Sequence, residues 1–294
     1  MPGTGSTGTP DGTEMKSRFE ATEATKTENT DTKPTVSVII NCYNGARYLR
    51  EAIDSIYEQT FTNWEIIFVD NCSTDESSEI AKSYDARLRY FRTDETISLY
   101  SARNYGVNLA DGEFIAFLDV DDVWLPEKLE KQLESIGDDY ALVHTGVNMI
   151  DENGYYVPWR EPTRHKGLVT NWLLLRNFIS MSSVMVRSSV IKDLKFNNLY
   201  NLVGDYDLWL RMSANHRFNY VDEVLLHYRR HQNCMSLRER SNWIYEQRSH
   251  YRFFLSEYRL RFSMILVHIL TKEVIHLFHL TSKRMRHFAD NTRS

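Results

Sequence analysis

The chain has 294 residues, of which 42% are hydrophobic and 26% charged, with a formal net charge of −5. This is ordinary globular composition, with room for one large domain or a domain and a subdomain. The acidic balance gives no whole-protein attraction to nucleic acid or membrane, and nucleic acid is not an expected partner. Three scattered cysteines, Cys42, Cys72 and Cys234, lack metal-type spacing and fit a reducing compartment better than a disulfide-built secreted domain.

Residues 1–34 are dominated by Thr, Glu, Gly, Lys and Asp, a composition that buries too little apolar surface to offset ordering entropy. They are expected to form a disordered tail, and with no apolar core they do not read as a secretory signal. From Val36 the pattern changes. Val36–Ile40 is β-branched and stops at Asn41, as a buried parallel strand would. Residues 46–59 place Tyr48, Leu49, Ala52, Ile53 and Ile56 at helical spacing. A second strand over 65–69 ends at Asp70, and Ser73-Thr74-Asp75-Glu76 opens a helix through Tyr84. A third strand over 88–91, a helix over 101–110 and a fourth strand over 114–118 follow.

This alternation predicts an α/β fold with a mostly parallel sheet. Residues 35–140 form the nucleotide-binding half. Beyond them the pattern loosens, with strands expected over 140–147, 183–186 and 221–228 and helices over 172–178 and 208–214. Residues 243–289 read as a C-terminal helical extension. The apolar core of that extension, 262–280, is interrupted by His268, Lys272, Glu273, His276 and His279, too polar for a comfortable membrane span. It would pack on the domain or a second subunit, or lie at a membrane surface.

The fourth strand empties into Asp119, Asp121 and Asp122. Burying three unpaired carboxylates is expensive, so such a strand end calls for a cation or for open solvent. A divalent metal bridging to a phosphate is one reading. The other is a solvated turn, with Asp121 or Asp122 capping the helix around Pro126. Two earlier strand ends are also polar: Asn41-Cys42-Tyr43-Asn44 and Asp70-Asn71-Cys72-Ser73. In neighbouring parallel strands all three would share one sheet edge, where α/β proteins bind ligands. Tyr43 could stack a base or simply pack in its loop. Asp70 could accept from a base or ribose, or merely close an Asx turn.

Val36–Asn44, Val69–Asp75, Ser101–Asn104, Phe117–Pro126, Gly204–Arg211 and Tyr228–His231 together resemble, in order, the inverting glycosyltransferases of family two, which have the GT-A fold. The resemblance covers roughly residues 35–235. It implies a domain over 35–240, with 141–240 as the acceptor half and 241–294 as the extension. Asp119 and Asp121 would be the DXD pair. Asp121 would ligate Mn2+ or Mg2+, Asp119 would face the ribose or the metal, and His231 would contact metal or phosphate. Asn41, Tyr43, Asp70, Arg103 and Asp119 would bind the donor, and Asp205 would be the general base. A UDP-linked donor, a glycan, lipid-linked or other hydroxyl acceptor, and a role in cell-surface polysaccharide or glycan synthesis follow by the same resemblance. The expected location is the cytoplasm or the inner face of the membrane, with 241–294 making membrane or homodimer contacts.

Three departures stand out. The family usually has Pro-Thr at Asn41-Cys42, Asp-Gly at Asn71-Cys72, and Glu at Gly204. The Gln-x-x-Arg-Trp motif of processive synthases is absent, so one sugar is expected per event. The competing readings are a haloacid-dehalogenase-type phosphatase with Asp119 as nucleophile, a nucleotidyltransferase, and a non-catalytic sugar-nucleotide-binding protein. The phosphatase reading suffers because three strand–helix units precede Asp119. The nucleotidyltransferase reading lacks a Gly-rich phosphate loop. Residues governing the acceptor are sought among Trp159, His165, Trp172 and Ser182.

Overall fold

A computed structural model of the protein describes residues 33–159 and 161–235, together with 239, 242, 245 and 246. The expected tail over 1–34 lies outside the described residues but for its last two. So does the extension over 241–294, apart from Asn242, Tyr245 and Glu246.

The first half alternates strand and helix: β1 (Val36–Cys42), α1 (Ala46–Tyr57), β2 (Trp64–Asp70), α2 (Ser77–Lys82), β3 (Leu88–Arg92), α3 (Leu99–Leu109) and β4 (Phe114–Phe117). The second half contains β5 (Val123–Trp124), α4 (Lys128–Ile136), β6 (Tyr140–Ile150), α5 (Thr170–Leu175), β7 (Met185–Arg187), α6 (Ser188–Leu194), α7 (Gly204–Ser213) and β8 (Arg217–Arg229). One eight-stranded sheet runs through both, in the order β3-β2-β1-β4-β7-β6-β8-β5. Strands β1 to β4 pair in parallel, as does β6 with β8, while β7 and β5 enter antiparallel.

Helices cover both faces, which is why β1 and β2 are buried along nearly their whole length. Val38 and Ile40 point to one face, where Leu49, Ala52, Ile53 and Ile56 of α1 fill the core. Ile39 points to the other, against Tyr100 and Val107 of α3. Each such aliphatic side chain contributes about 1.5–3 kcal/mol by burial, so the sheet's centre is a stiff base for the loops at its edge. Helix α3 begins two residues earlier than predicted. Ser98 caps it, its Oγ accepting from the Ser101 N–H.

One expectation is overturned. Asp122 does not cap a helix, because the chain after it forms β5 against β8, with Val123 opposite His227 and Trp124 opposite Leu226. Trp124 is buried there, and its indole Nε1 donates to the Ser182 carbonyl at 2.8 Å. Helix α4 waits until Lys128 and has no side-chain cap. The pairing has a further result: it carries the end of β8 up to the acidic turn.

Candidate active site

The parallel register sets Cys42 opposite Asp70 and Ile39 opposite Phe117, so the polar ends of β1, β2 and β4 do share one edge. The loops there are stitched together. Asn44, Gly45 and Ala46 donate their N–H groups to Ser73 Oγ, Ser77 Oγ and Asp75 Oδ2, and Thr74 N–H donates to Asn44 Oδ1. Asn44 and Cys72 are both left-handed, with φ of 54° and 61°. Cys72 stands where the family usually has glycine, and its thiol donates to the Thr93 carbonyl at 2.9 Å. That contact helps hold a conformation costly for a residue with a Cβ. On this locked turn Tyr43 is 58% exposed, an aromatic face open to a ligand.

Asp70 is placed differently from its expected role. It is fully buried, and its carboxylate accepts from Ser73 N–H (2.7 Å), Tyr90 OH (2.5 Å) and Arg92 Nη1 (2.6 Å). It shapes the turn after β2 and offers no exposed atom to a nucleoside. Asn41 and Arg103 work as a pair. Asn41 Oδ1 accepts from Arg103 Nε at 3.2 Å, and Arg103 Nη2 donates to Asp119 Oδ1 at 2.6 Å. Arg103 is buried, while Asp119 keeps 34% of its side chain in solvent. Ser182 buttresses the same loop, accepting from the Asp119 N–H at 3.1 Å, so it is core rather than acceptor contact.

The DXD pair divides. Asp121 Oδ2 lies 3.0 Å from His231 Nε2, whereas Asp119 faces Arg103 instead of joining them. Arg229 at the end of β8 makes the Asp121–His231 approach. Its N–H donates to Asp122 Oδ1, its Nε to the Asp121 carbonyl at 3.0 Å, and its Nη2 to Glu51 at 2.6 Å. The His231 ring also lies 5.1 Å from that of Tyr48. Cys234 adds its Sγ to the cluster, within 4.8 Å of the other two ligand atoms, and accepts from the His231 N–H. Sequence reasoning missed Arg229 and Cys234. The available signal for Arg229 was its place beside His231 in the family-like run Tyr228–His231.

Electrostatics favour a cation here. Burial, then the neighbouring Asp119 charge, raises the Asp121 carboxyl above its ordinary range, against the pull of His231. Burial raises Asp122 further still, with Asp121 and Asp119 adding to it. Asp122 Oδ2 is buried with no hydrogen-bond partner. A carboxylate and an imidazole converging beside an unsatisfied buried oxygen suit a divalent ion.

Asp205 opens α7, within electrostatic reach of Arg103 and Asp119. Its Oδ1 accepts from its neighbour's N–H, that of Tyr206, at 2.8 Å and from Tyr100 OH at 3.3 Å. Burial lifts its carboxyl above the ordinary range, and Arg103 opposes that shift. Among the acceptor candidates, His165 and Trp172 stack face to face at 4.0 Å. Trp159 donates its indole N–H to the Val147 carbonyl.

One sheet edge thus gathers an exposed aromatic ring, a buried arginine paired to an aspartate, and a carboxylate–imidazole pair. The family profile described as glycosyl transferase family 2 matches residues 37–195. An uncharacterized glycosyltransferase of Methanocaldococcus jannaschii is 35% identical over 206 residues, 67% of this chain and 71% of that one. The putative teichuronic acid biosynthesis glycosyltransferase TuaG of Bacillus subtilis is 38% identical over 129 residues, 42% of this chain and 51% of that protein. Among solved structures, S. aureus TarS 1–349 in complex with UDP superposes with a TM-score of 0.56 at 23% identity, covering 67% of this chain and 61% of that one. The mannosyltransferase PcManGT from Pyrobaculum calidifontis, in complex with GDP-Man and Mn2+, gives 0.51 at 20% identity, covering 67% and 57%. The chain belongs to glycosyl transferase family 2, and it spans between about a quarter and two thirds of the length of several curated relatives it matches. That membership removes the phosphatase reading, and Asp119, ion-paired to Arg103, is not poised as a nucleophile.

Proposed function

We propose that the protein is a divalent-metal-dependent, inverting glycosyltransferase that moves one sugar, from a UDP-linked donor, onto a hydroxyl acceptor in surface polysaccharide or glycan synthesis. The observation that carries this reading is the state of Asp205. Its Oδ1 is held by two donors, while Oδ2 has no hydrogen-bond partner among the described residues. A carboxylate oxygen left without a donor, on a carboxyl whose pKa burial has raised, is suited to accept a proton. Oδ2 takes the proton of the acceptor hydroxyl as its oxygen bonds to the anomeric carbon. The bond from that carbon to the diphosphate breaks, and its electron pair leaves with the diphosphate. One base and one displacement give inversion.

On the donor side Tyr43 stacks the base, and Asp119, oriented by Arg103 and Asn41, receives the ribose. Asp70 acts through the turn it holds. Asp121 and His231 would hold Mn2+ or Mg2+, whose contribution when bound is Lewis-acid neutralisation of the departing diphosphate. The acceptor class draws support from the teichuronic acid protein and from the amylovoran biosynthesis glycosyltransferase AmsB of Erwinia amylovora. Among the described residues no helix is long and apolar enough to cross a membrane.

The test is transfer from UDP-sugars with Mn2+, with the product anomer assigned by NMR. Asp205→Asn should keep donor binding and lose about 10²–10⁴-fold in kcat. Retention of configuration, or a transfer-competent Asp205→Asn, would refute the reading.

A further inference from the structure

The residue ahead of Asp205 is Gly204, where the family usually carries glutamate, and its surroundings explain the exchange. A Cβ on Gly204 would lie 2.6 Å from Cδ2 and Cε2 of Tyr100 and 2.8 Å from Cζ. Carbon atoms in contact need about 3.5–4.0 Å, so the tyrosine ring fills the space a side chain at 204 would require. Gly204 is helical and has no need of a left-handed backbone, so the demand for glycine here is steric.

Tyr100 is held firmly. It is 1% exposed, its ring stacks on Phe196 with centroids 5.5 Å apart, and the Arg103 guanidinium lies 5.4 Å from its centroid. Packing of this kind leaves the phenol one direction to point, and its hydroxyl donates to Asp205 Oδ1. At 3.3 Å the bond is long, as catalytic hydrogen bonds commonly are before substrate binds. The charged and titratable groups facing Asp205 are Tyr100 and Arg103 from α3 and Asp119 from the loop after β4. Of these, Tyr100 alone bonds to the carboxylate.

We propose that Tyr100 is a positioning residue for Asp205: its phenol, admitted by the absent side chain at Gly204, pins Oδ1 and leaves Oδ2 as the one oxygen that takes the acceptor proton. The inference rests on Asp205 being the base. It assigns the orientation of that base to a tyrosine–glycine pair, where the usual family sequence has glutamate before the aspartate.

Tyr100→Phe keeps the ring and removes only the donor. Its kcat should fall about tenfold with donor KM unchanged, the size expected for one hydrogen bond to a charged group. The acidic limb of the kcat–pH profile should move to higher pH, because Oδ1 loses a donor that favours the carboxylate. Gly204→Ala, which pushes the ring aside, should reproduce both effects and lower the thermal midpoint. Adding Tyr100→Ala to Gly204→Ala removes the clash but empties the ring's buried space, so the midpoint should stay low and kcat should not recover. An unshifted acidic limb and parental kcat in Tyr100→Phe would overturn the proposal, as would recovery of kcat in the double variant. Transfer by Asp205→Asn would mark the separate failure of the base assignment beneath it.

Discussion

Arg229→Lys tests whether the end of β8 builds the carboxylate–imidazole pair. Lysine keeps the charge opposite Glu51, a carboxylate 54% exposed, so that ion pair is worth at most about 1 kcal/mol either way. The losses lie elsewhere. The Nε bond to the Asp121 carbonyl disappears, at about 1–1.5 kcal/mol, leaving that oxygen without its donor. The guanidinium also lies 4.7 Å from the Tyr48 ring centroid, a contact worth about 0.5–1 kcal/mol. The bond to the Asp151 carbonyl, at 3.4 Å, adds little. The expected destabilisation is therefore about 2 kcal/mol in urea unfolding at neutral pH. Because Arg229 orients the Asp121 turn against His231, Mn2+ affinity should also drop, by about 10–100-fold in calorimetric titration. A variant within about 0.5 kcal/mol of the parent, with unchanged Mn2+ affinity, would show that the arginine does not assemble the site.

Asp121→Asn removes the charge facing His231, so Mn2+ binding followed by electron paramagnetic resonance should weaken by about 100-fold or more. Retained affinity would move the metal site elsewhere. His144 gives a pH signature: buried among apolar groups and near Arg164, it is pushed down from 6.5 to about 3. The unfolded chain therefore takes up this proton before the folded one, and stability falls as pH drops below about 6.5. By about pH 4.5 the loss from this group approaches about 2.7 kcal/mol as an upper bound. His144→Gln should flatten that part of the unfolding profile, and an unaltered slope would contradict the assignment.

The parallel half of the sheet was legible because its strands are β-branched runs that end abruptly in polar residues. Asn41, Asp70 and Asp119 reach one edge as expected, since adjacent parallel strands must end on the same side. The second half was harder. Strands β6 and β8 run to Ile150 and Arg229 with register shifts, and polar His144, Thr145, Asn148 and Asn219 obscure their pattern. The misread cap at Asp122 has the same origin. Only the long-range pairing of Trp124 with Leu226 shows that the acidic turn feeds a strand. The approach of His231 to Asp121 came from family resemblance, and no local spacing encodes it. The burial of Asp70 was invisible because Tyr90 and Arg92, which enclose it, lie on the neighbouring strand. Tyr100 went unnoticed because its significance depends on a glycine 104 positions away.

Tyr100 and Arg103 lie three residues apart on α3, so they project from one side of the helix with a rise of about 4.5 Å between them. One touches Asp205 and the other Asp119. A single turn of α3 thus sets the spacing between the proposed base, Asp205, and the carboxylate proposed to receive the ribose, Asp119. On the proposed mechanism, the alignment for backside attack would be built into α3 rather than into the loops of the sheet edge.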